Sequence, residues 1–171
     1  MEPSRQTLMQ STGLLILRLG MGGYMATHGW GKLQMLLAGN YEMFGDPIGI
    51  GSQLSLSLIT FAEFVCAILV MLGLGTRFAA ATLVVGMTVA AFVAHASDPW
   101  TSGEAFRLFM AGETKFPVSK EMALLYLVPF LALVFTGAGQ FSIDRWIRAW
   151  SRQRTSTTST RIQNSSALEG A

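Results

Sequence analysis

Several side chains that carry charge or exchange protons lie within or beside long apolar stretches of this chain: Arg18, His28, Lys32, Glu63 and His95. Glu63 stands almost at the centre of the apolar run 54–74, where it is the one charged residue. An ionisable group at mid-depth of a membrane helix costs about 2.5–3.5 kcal/mol and therefore faces a partner inside the bundle. The pattern predicts that Glu63 meets a charge or a ligand there.

Arg18 is one predicted partner of Glu63. The helical rise of about 1.5 Å per residue places Arg18 about 9 Å, and Glu63 about 15 Å, from the same end of the bundle. A pair formed in this way has two interpretations. It fixes the positions of the helices, or it lines a pocket for a quinone or an anion.

A second set of polar residues is expected at the opposite end, comprising His28, Lys32, His95, Lys120 and Glu121. Imidazole titrates near neutral pH, so His28 and His95, together with Glu121, are candidate catalytic residues that exchange protons. Arg18, Glu63, His28, Lys32 and His95 are the candidate ligand-binding residues. The alternative is that these are ordinary polar residues at a membrane surface.

Metal binding is a weaker alternative. Two histidines and a carboxylate can hold a metal ion, and Met21 and Met25 lie one helical turn apart. The histidines stand on different helices, however, and methionine in apolar helices usually serves packing. We therefore predict no metal site. The sequence also has no motif for flavin, haem, an iron–sulfur cluster or a nucleotide, so the cofactor stays unknown, with quinone as the candidate.

The composition indicates an integral membrane protein. Of 171 residues, 51% are hydrophobic and 13% charged, against about 25% charged in a typical soluble domain. The net charge of +2 and the lack of a basic aromatic patch exclude a nucleic-acid partner.

The elements that position these residues are four predicted transmembrane helices at about residues 12–37, 54–74, 77–96 and 119–138. Short connections predict an all-α, up-down four-helix bundle within a domain of residues 1–150. An interfacial amphipathic helix is expected at 142–152, with arginines on one face and tryptophans on another. Residues 153–171 are predicted to form a disordered polar tail.

Four crossings put both termini on one side of the membrane. That side carries seven Lys and Arg residues and the other side carries four, leaving out Arg18. The positive-inside rule then places both termini in the cytoplasm of a bacterium and the protein in its inner membrane.

Five segments resemble the DoxX family of bacterial four-helix membrane proteins. They are LRLGMGGYMATHGWGKL (17–33), the Glu63 helix continuing into LGLGTRFAA (72–80), AAFVAHAS (90–97), KEMALLYL (120–127) and GAGQFSIDRWI (137–147). The resemblance implies an association with membrane oxidoreductase systems, since a DoxD-type subunit belongs to a thiosulfate:quinone oxidoreductase.

We therefore expect a DoxX-like subunit of an oxidoreductase system that contacts a quinone or a small sulfur anion within the bundle. Its expected partners are the lipid bilayer, oxidoreductase subunits and a second copy of itself. The alternatives are a non-catalytic membrane scaffold or accessory protein and, less favoured, a small-molecule transporter.

Overall fold

The computed structural model describes residues 4–150, which contain helices and no β-strand. We number the helices α1 (Arg5–Leu37), α2 (Ser52–Leu72), α3 (Thr76–Ala94), α4 (Ser102–Met110), α5 (Glu121–Thr136) and α6 (143–150). The predicted all-α class is confirmed. The end of the predicted amphipathic helix, 151–152, and the predicted tail, 153–171, lie outside the described residues.

Helix α1 begins at Arg5, seven residues before the predicted start near residue 12. The Ser4 side chain accepts a hydrogen bond from the Thr7 backbone N–H, which satisfies one of the unpaired donors of the first turn. The apolar pattern of the sequence indicates where a membrane-spanning stretch starts, but the helix itself starts earlier, at the Ser4 cap.

The four longest helices, α1, α2, α3 and α5, run antiparallel to their neighbours. Gly29 of α1 lies against Glu63 of α2, and Gly22 lies against Ala67. At one end of the α3–α5 pair Arg77 donates to the Phe135 carbonyl, and at the other Lys120 donates to the Ala96 carbonyl. The chain therefore has up-down connectivity. We call the end with residues 38–51 and 95–120 the loop end, and the end with residues 73–75 and 137–150 the termini end.

The core of the bundle consists of small and medium apolar side chains, including Cys66, Val70, Ala79, Ala80, Leu83, Phe130 and Leu133. Large apolar residues face outward, among them Phe78, Val85, Val128 and Phe135. A large exposed apolar surface on helices marks a surface that contacts a membrane or a partner.

Two helices, α2 and α3, are long and apolar enough to cross a membrane. Helix α5 is apolar but has only 16 residues. Helix α1 has 33 residues and carries Arg18 and Lys32 along its length.

Helices α2 and α3 each contain a π-helical segment, at Phe61–Cys66 and Ala90–Ala94. The first segment contains Glu63, and His95 directly follows the second. Such wide turns are rare and occur frequently at functional sites, because they change the direction in which side chains project.

Candidate functional site

Lys32 of α1 forms an ion pair with Glu63 of α2. The Glu63 side chain is 4% exposed and that of Lys32 is 25% exposed. The predicted pairing of Glu63 with Arg18 is therefore wrong.

The relative position of the two helices explains this difference. Helix α1 meets Glu63 at Gly29, while the Arg18 guanidinium lies beside Gly73. Gly73 is ten residues beyond Glu63, which corresponds to about 15 Å along a helix. Arg18 cannot bridge that distance, whereas Lys32 is one turn from Gly29.

Gly29 allows the close approach that brings Lys32 to Glu63. A methyl group on Gly29 would lie 2.5 Å from the backbone carbonyl carbon of Glu63 and 2.5 Å from the backbone nitrogen of Phe64. Real side chains do not tolerate such distances, and backbone atoms cannot rotate away. The helix pair therefore requires glycine here.

His95 is held at the end of α3 by a contact between its Nδ1 atom and the Asp98 carboxylate, at 2.7 Å. A carboxylate on Nδ1 orients the imidazole ring, so Nε2 is the ring nitrogen left to meet a ligand.

A cavity of about 370 Å³ opens at the loop end, and we call it the loop-end chamber. Apolar side chains, Met25 and Met87 among them, make up part of its lining, and the polar lining residues are His28, Lys32, Glu63, His95, Ser102, Ser119 and Tyr126. Four of the predicted ligand-binding residues thus line one cavity, and Arg18 does not.

Tyr126 of α5 was missed by the sequence reasoning. It is 7% exposed, its ring meets that of His28 edge-on at 5.7 Å, and it stacks on Phe130. A tyrosine inside an apolar helix, five residues after Glu121, looks like a packing residue, and only the fold brings it to His28.

A second cavity of about 540 Å³, the apolar groove, lies between α2, α3 and the loop that contains Phe44, Pro47 and Ile48. Its walls are mostly aliphatic and aromatic, and include Leu58, Ile59, Phe61, Phe78, Val85 and Val89. Lys32, Glu63 and His95 line both the groove and the loop-end chamber. The two cavities therefore share one polar wall.

The loop beside the groove is held by Asp46. Its carboxylate accepts hydrogen bonds from the Ser55 hydroxyl at 2.7 Å and from the backbone N–H groups of Ile50 at 3.0 Å and Gly51 at 2.7 Å. These donors, the Ser55 hydroxyl foremost, lower the pKa of Asp46. The loop and the first turn of α2 are thus joined by one charged group.

Glu121 does not line either cavity. Its carboxylate accepts a hydrogen bond from the Ser102 backbone N–H and so joins α5 to the start of α4. Lys120 lies beside it, with its ammonium group 4.8 Å from the centre of the Trp100 ring. Both residues hold the segment 95–120 that borders the chamber.

Arg18 lies at the termini end, fully buried. Its Nη2 atom donates to the Phe141 carbonyl, and Asp144 attracts it electrostatically. Its Nε and Nη1 atoms have no hydrogen-bond partner within residues 4–150. Arg18 therefore attaches the segment before α6 to α1 and is separate from the loop-end chamber.

Asp144 also takes part in this attachment, and we call the contacts of Arg18 and Asp144 the Arg18 junction. Its carboxylate accepts hydrogen bonds from the N–H groups of Gly75 at 2.8 Å and Thr76 at 3.2 Å, and its own N–H donates to the Gly73 carbonyl at 3.0 Å. A carboxylate at this position satisfies unpaired donors at the start of α3.

The outward-facing apolar side chains and the two apolar spans are typical of a helical membrane protein. The model of the DoxX family matches residues 13–96. A curated relative from Haemophilus influenzae, described as an uncharacterized protein, is 32% identical over 136 residues, which cover 77% of this chain and 87% of the relative. No solved structure matches. The chain belongs to the DoxX family of membrane proteins, as the sequence segments predicted.

Proposed function

We propose that this protein is a subunit of an oxidoreductase system in a bacterial inner membrane and that it binds a quinone. The observation that carries the proposal is the polar wall shared by the two cavities. Lys32, Glu63 and His95 border both the apolar groove and the loop-end chamber. An amphiphile would fit this arrangement, with its apolar chain in the groove and its polar head at the shared wall.

The proposed placement has four membrane crossings, by α1, α2, α3 and α5. Their antiparallel packing and outward-facing apolar side chains support it. The Lys and Arg count supports termini in the cytoplasm, so the loop end faces outward. The chamber would then be reached from outside the membrane and the groove from the lipid.

Quinone reduction requires two electrons and two protons. In this proposal the protons reach the quinone head from His95 and from water in the chamber, where His28 also lies. The electrons come from two small sulfur anions, which lose one electron each as an S–S bond forms between them. A partner oxidoreductase subunit is the alternative electron donor.

Activity measurements on matched variants test this proposal. We expect Glu63→Gln and His95→Ala to lower sulfur-anion-dependent quinone reduction in membranes at equal protein level, because each removes a group on the shared wall. Glu104→Gln changes an exposed carboxylate of α4 and serves as the control. Activity that is equal in all three variants would exclude a role of the wall in the reaction.

A non-catalytic scaffold or accessory role is the second candidate, and the junction around Arg18 favours it. There a buried charge only joins parts of the same chain. If that holds for the whole protein, Glu63→Gln and His95→Ala would change thermal stability and leave quinone-analogue binding unchanged.

A further inference from the structure

Helix α6 carries two arginines at the edge of a recess. Arg145 and Arg148 are three residues apart and therefore share one face of the helix. Together with Gly139 and Ala149 they line a recess of about 270 Å³ at the termini end. This recess is separate from the loop-end chamber and from the apolar groove.

Neither guanidinium has an ion-pair partner within residues 4–150. The nearest carboxylate in sequence, Asp144, already accepts hydrogen bonds from the backbone of Gly75 and Thr76. Two guanidinium groups that lack an ion-pair partner in the described part of the chain, placed at one recess, match an oxyanion such as phosphate, which arginine binds through its planar set of donors.

The same helix places aromatic rings beside these charges. Trp146 and Trp150 stack in parallel with ring centres 6.4 Å apart, and their exposed fractions are 69% and 49%. Tryptophan is enriched at the depth of lipid headgroups, because its ring is apolar and its N–H is polar. An oxyanion that meets α6 at this depth is the phosphate of a lipid.

We propose that the recess beside Arg145 and Arg148 binds the headgroup phosphate of an anionic phospholipid. This site is independent of any quinone chemistry at the shared wall. It also affects the bundle, because the segment that leads into α6 is attached to Arg18 and to the start of α3. Lipid bound here stabilises the junction of α1, α3 and α6.

Native mass spectrometry of the full chain tests the proposal. The protein is exchanged into phosphatidylcholine nanodiscs that contain phosphatidylglycerol, and the retained phosphatidylglycerol is counted after release. We expect Arg145→Gln/Arg148→Gln to lower the apparent affinity about fivefold for each arginine removed. Arg107→Gln changes an exposed arginine of α4 and should retain lipid like the unchanged protein.

Two results would overturn the proposal. The first is equal retention of phosphatidylglycerol by the double variant and by Arg107→Gln. The second is displacement of the lipid by soluble glycerophosphate at matched concentration, since that would assign the recess to a free phosphate. The substituted side chains are exposed, so circular dichroism should show an unchanged helical content in both variants.

Discussion

The ammonium group of Lys32 donates a hydrogen bond to the carboxylate of Glu63 and joins α1 to the π-helical segment of α2. Each helix contributes one charge to the pair, so neither helix can shift or rotate without separating them. Because the pair also lines both cavities, the contact that holds the helices together is the one that a ligand would meet.

Removal of one partner should destabilise the protein more than removal of both. We expect Lys32→Met to lower the free energy of unfolding by about 1–3 kcal/mol, because it leaves the Glu63 carboxylate buried and unpaired. This is less than the ~3–5 kcal/mol of a fully buried pair, since the Lys32 side chain is 25% exposed. Denaturant titration in detergent micelles measures the change.

The double variant Lys32→Met/Glu63→Leu should recover most of that loss, because no unpaired charge remains. Lys115→Met, at an exposed lysine in the loop before α5, is the control and should leave the unfolding free energy unchanged. A double variant as unstable as Lys32→Met would show that the pair is not what the single substitution disrupts.

Gly29 and Gly31 offer a matched test of the contact between α1 and α2. Gly29→Ala places a methyl group against the backbone of Glu63, and we expect a loss of about 1–3 kcal/mol from overpacking. The methyl group of Gly31→Ala meets no atom of residues 4–150 within 4 Å, so this variant should be neutral or gain up to about 1 kcal/mol in helix propensity. Thermal unfolding of both variants distinguishes the effects, and equal melting temperatures would contradict the close contact.

The turn between α2 and α3 allows a second matched comparison. Gly73 and Gly75 have φ angles of +70° and +56°, so alanine is strained at both by about 1–2 kcal/mol. Only at Gly73 does an added methyl group also collide with the Arg18 guanidinium and with Cβ of Ser142.

We therefore expect Gly73→Ala to be less stable than Gly75→Ala, and to loosen the segment before α6. The rate of proteolytic cleavage after Phe141, compared between the two variants at equal helical content, measures that loosening. If the protease cleaves Gly75→Ala faster than Gly73→Ala, the Arg18 junction does not restrain this segment.

The Asp46 carboxylate should make the loop beside the groove sensitive to acid. Its hydrogen bonds lower its pKa in the folded protein, so its stabilising contribution is complete above the ordinary aspartate pKa of about 4. It is lost as the pH falls through the lower, folded-state pKa. Amide hydrogen exchange at Ile50 and Gly51, corrected for intrinsic rates, should therefore accelerate in acid.

Asp46→Asn should remove this pH dependence and give fast exchange already at neutral pH, because the amide cannot accept from all three donors. Glu42→Gln removes an exposed carboxylate of the same loop, and the Ile50 and Gly51 amides of this variant should exchange at the rates of the unchanged protein. Equal protection in Asp46→Asn and the unchanged protein would mean that the loop is held by other contacts.

Apolar runs and isolated charges are local features, so the sequence was sufficient to predict the four long helices and four of the residues that line the loop-end chamber, namely His28, Lys32, Glu63 and His95. It did not predict which charges pair. Arg18 and Lys32 lie 14 positions apart on α1, and either reaches Glu63 for some alignment of α1 along α2. The close approach at Gly29 selects Lys32, and this depends on packing between helices.

The π-helical segments were also not predictable from the apolar pattern. A single widened turn leaves composition and hydropathy unchanged, yet it alters which side chains face the bundle. The role of Tyr126 was not predictable for a similar reason, because its approach to His28 depends on how α5 packs against α1.

The wide turn at Phe61–Cys66 makes the site sensitive to chain length as well as to residue type. A π turn accommodates one residue more than an α turn, so deletion of one residue there would restore regular α geometry. Because the widened turn already takes up the extra residue, the residues on its two sides would keep their directions, and only those within the turn, Glu63 among them, would project differently. A one-residue deletion in a regular α turn of α2 would instead rotate one half of the helix by about 100° relative to the other, without changing the character of a single side chain.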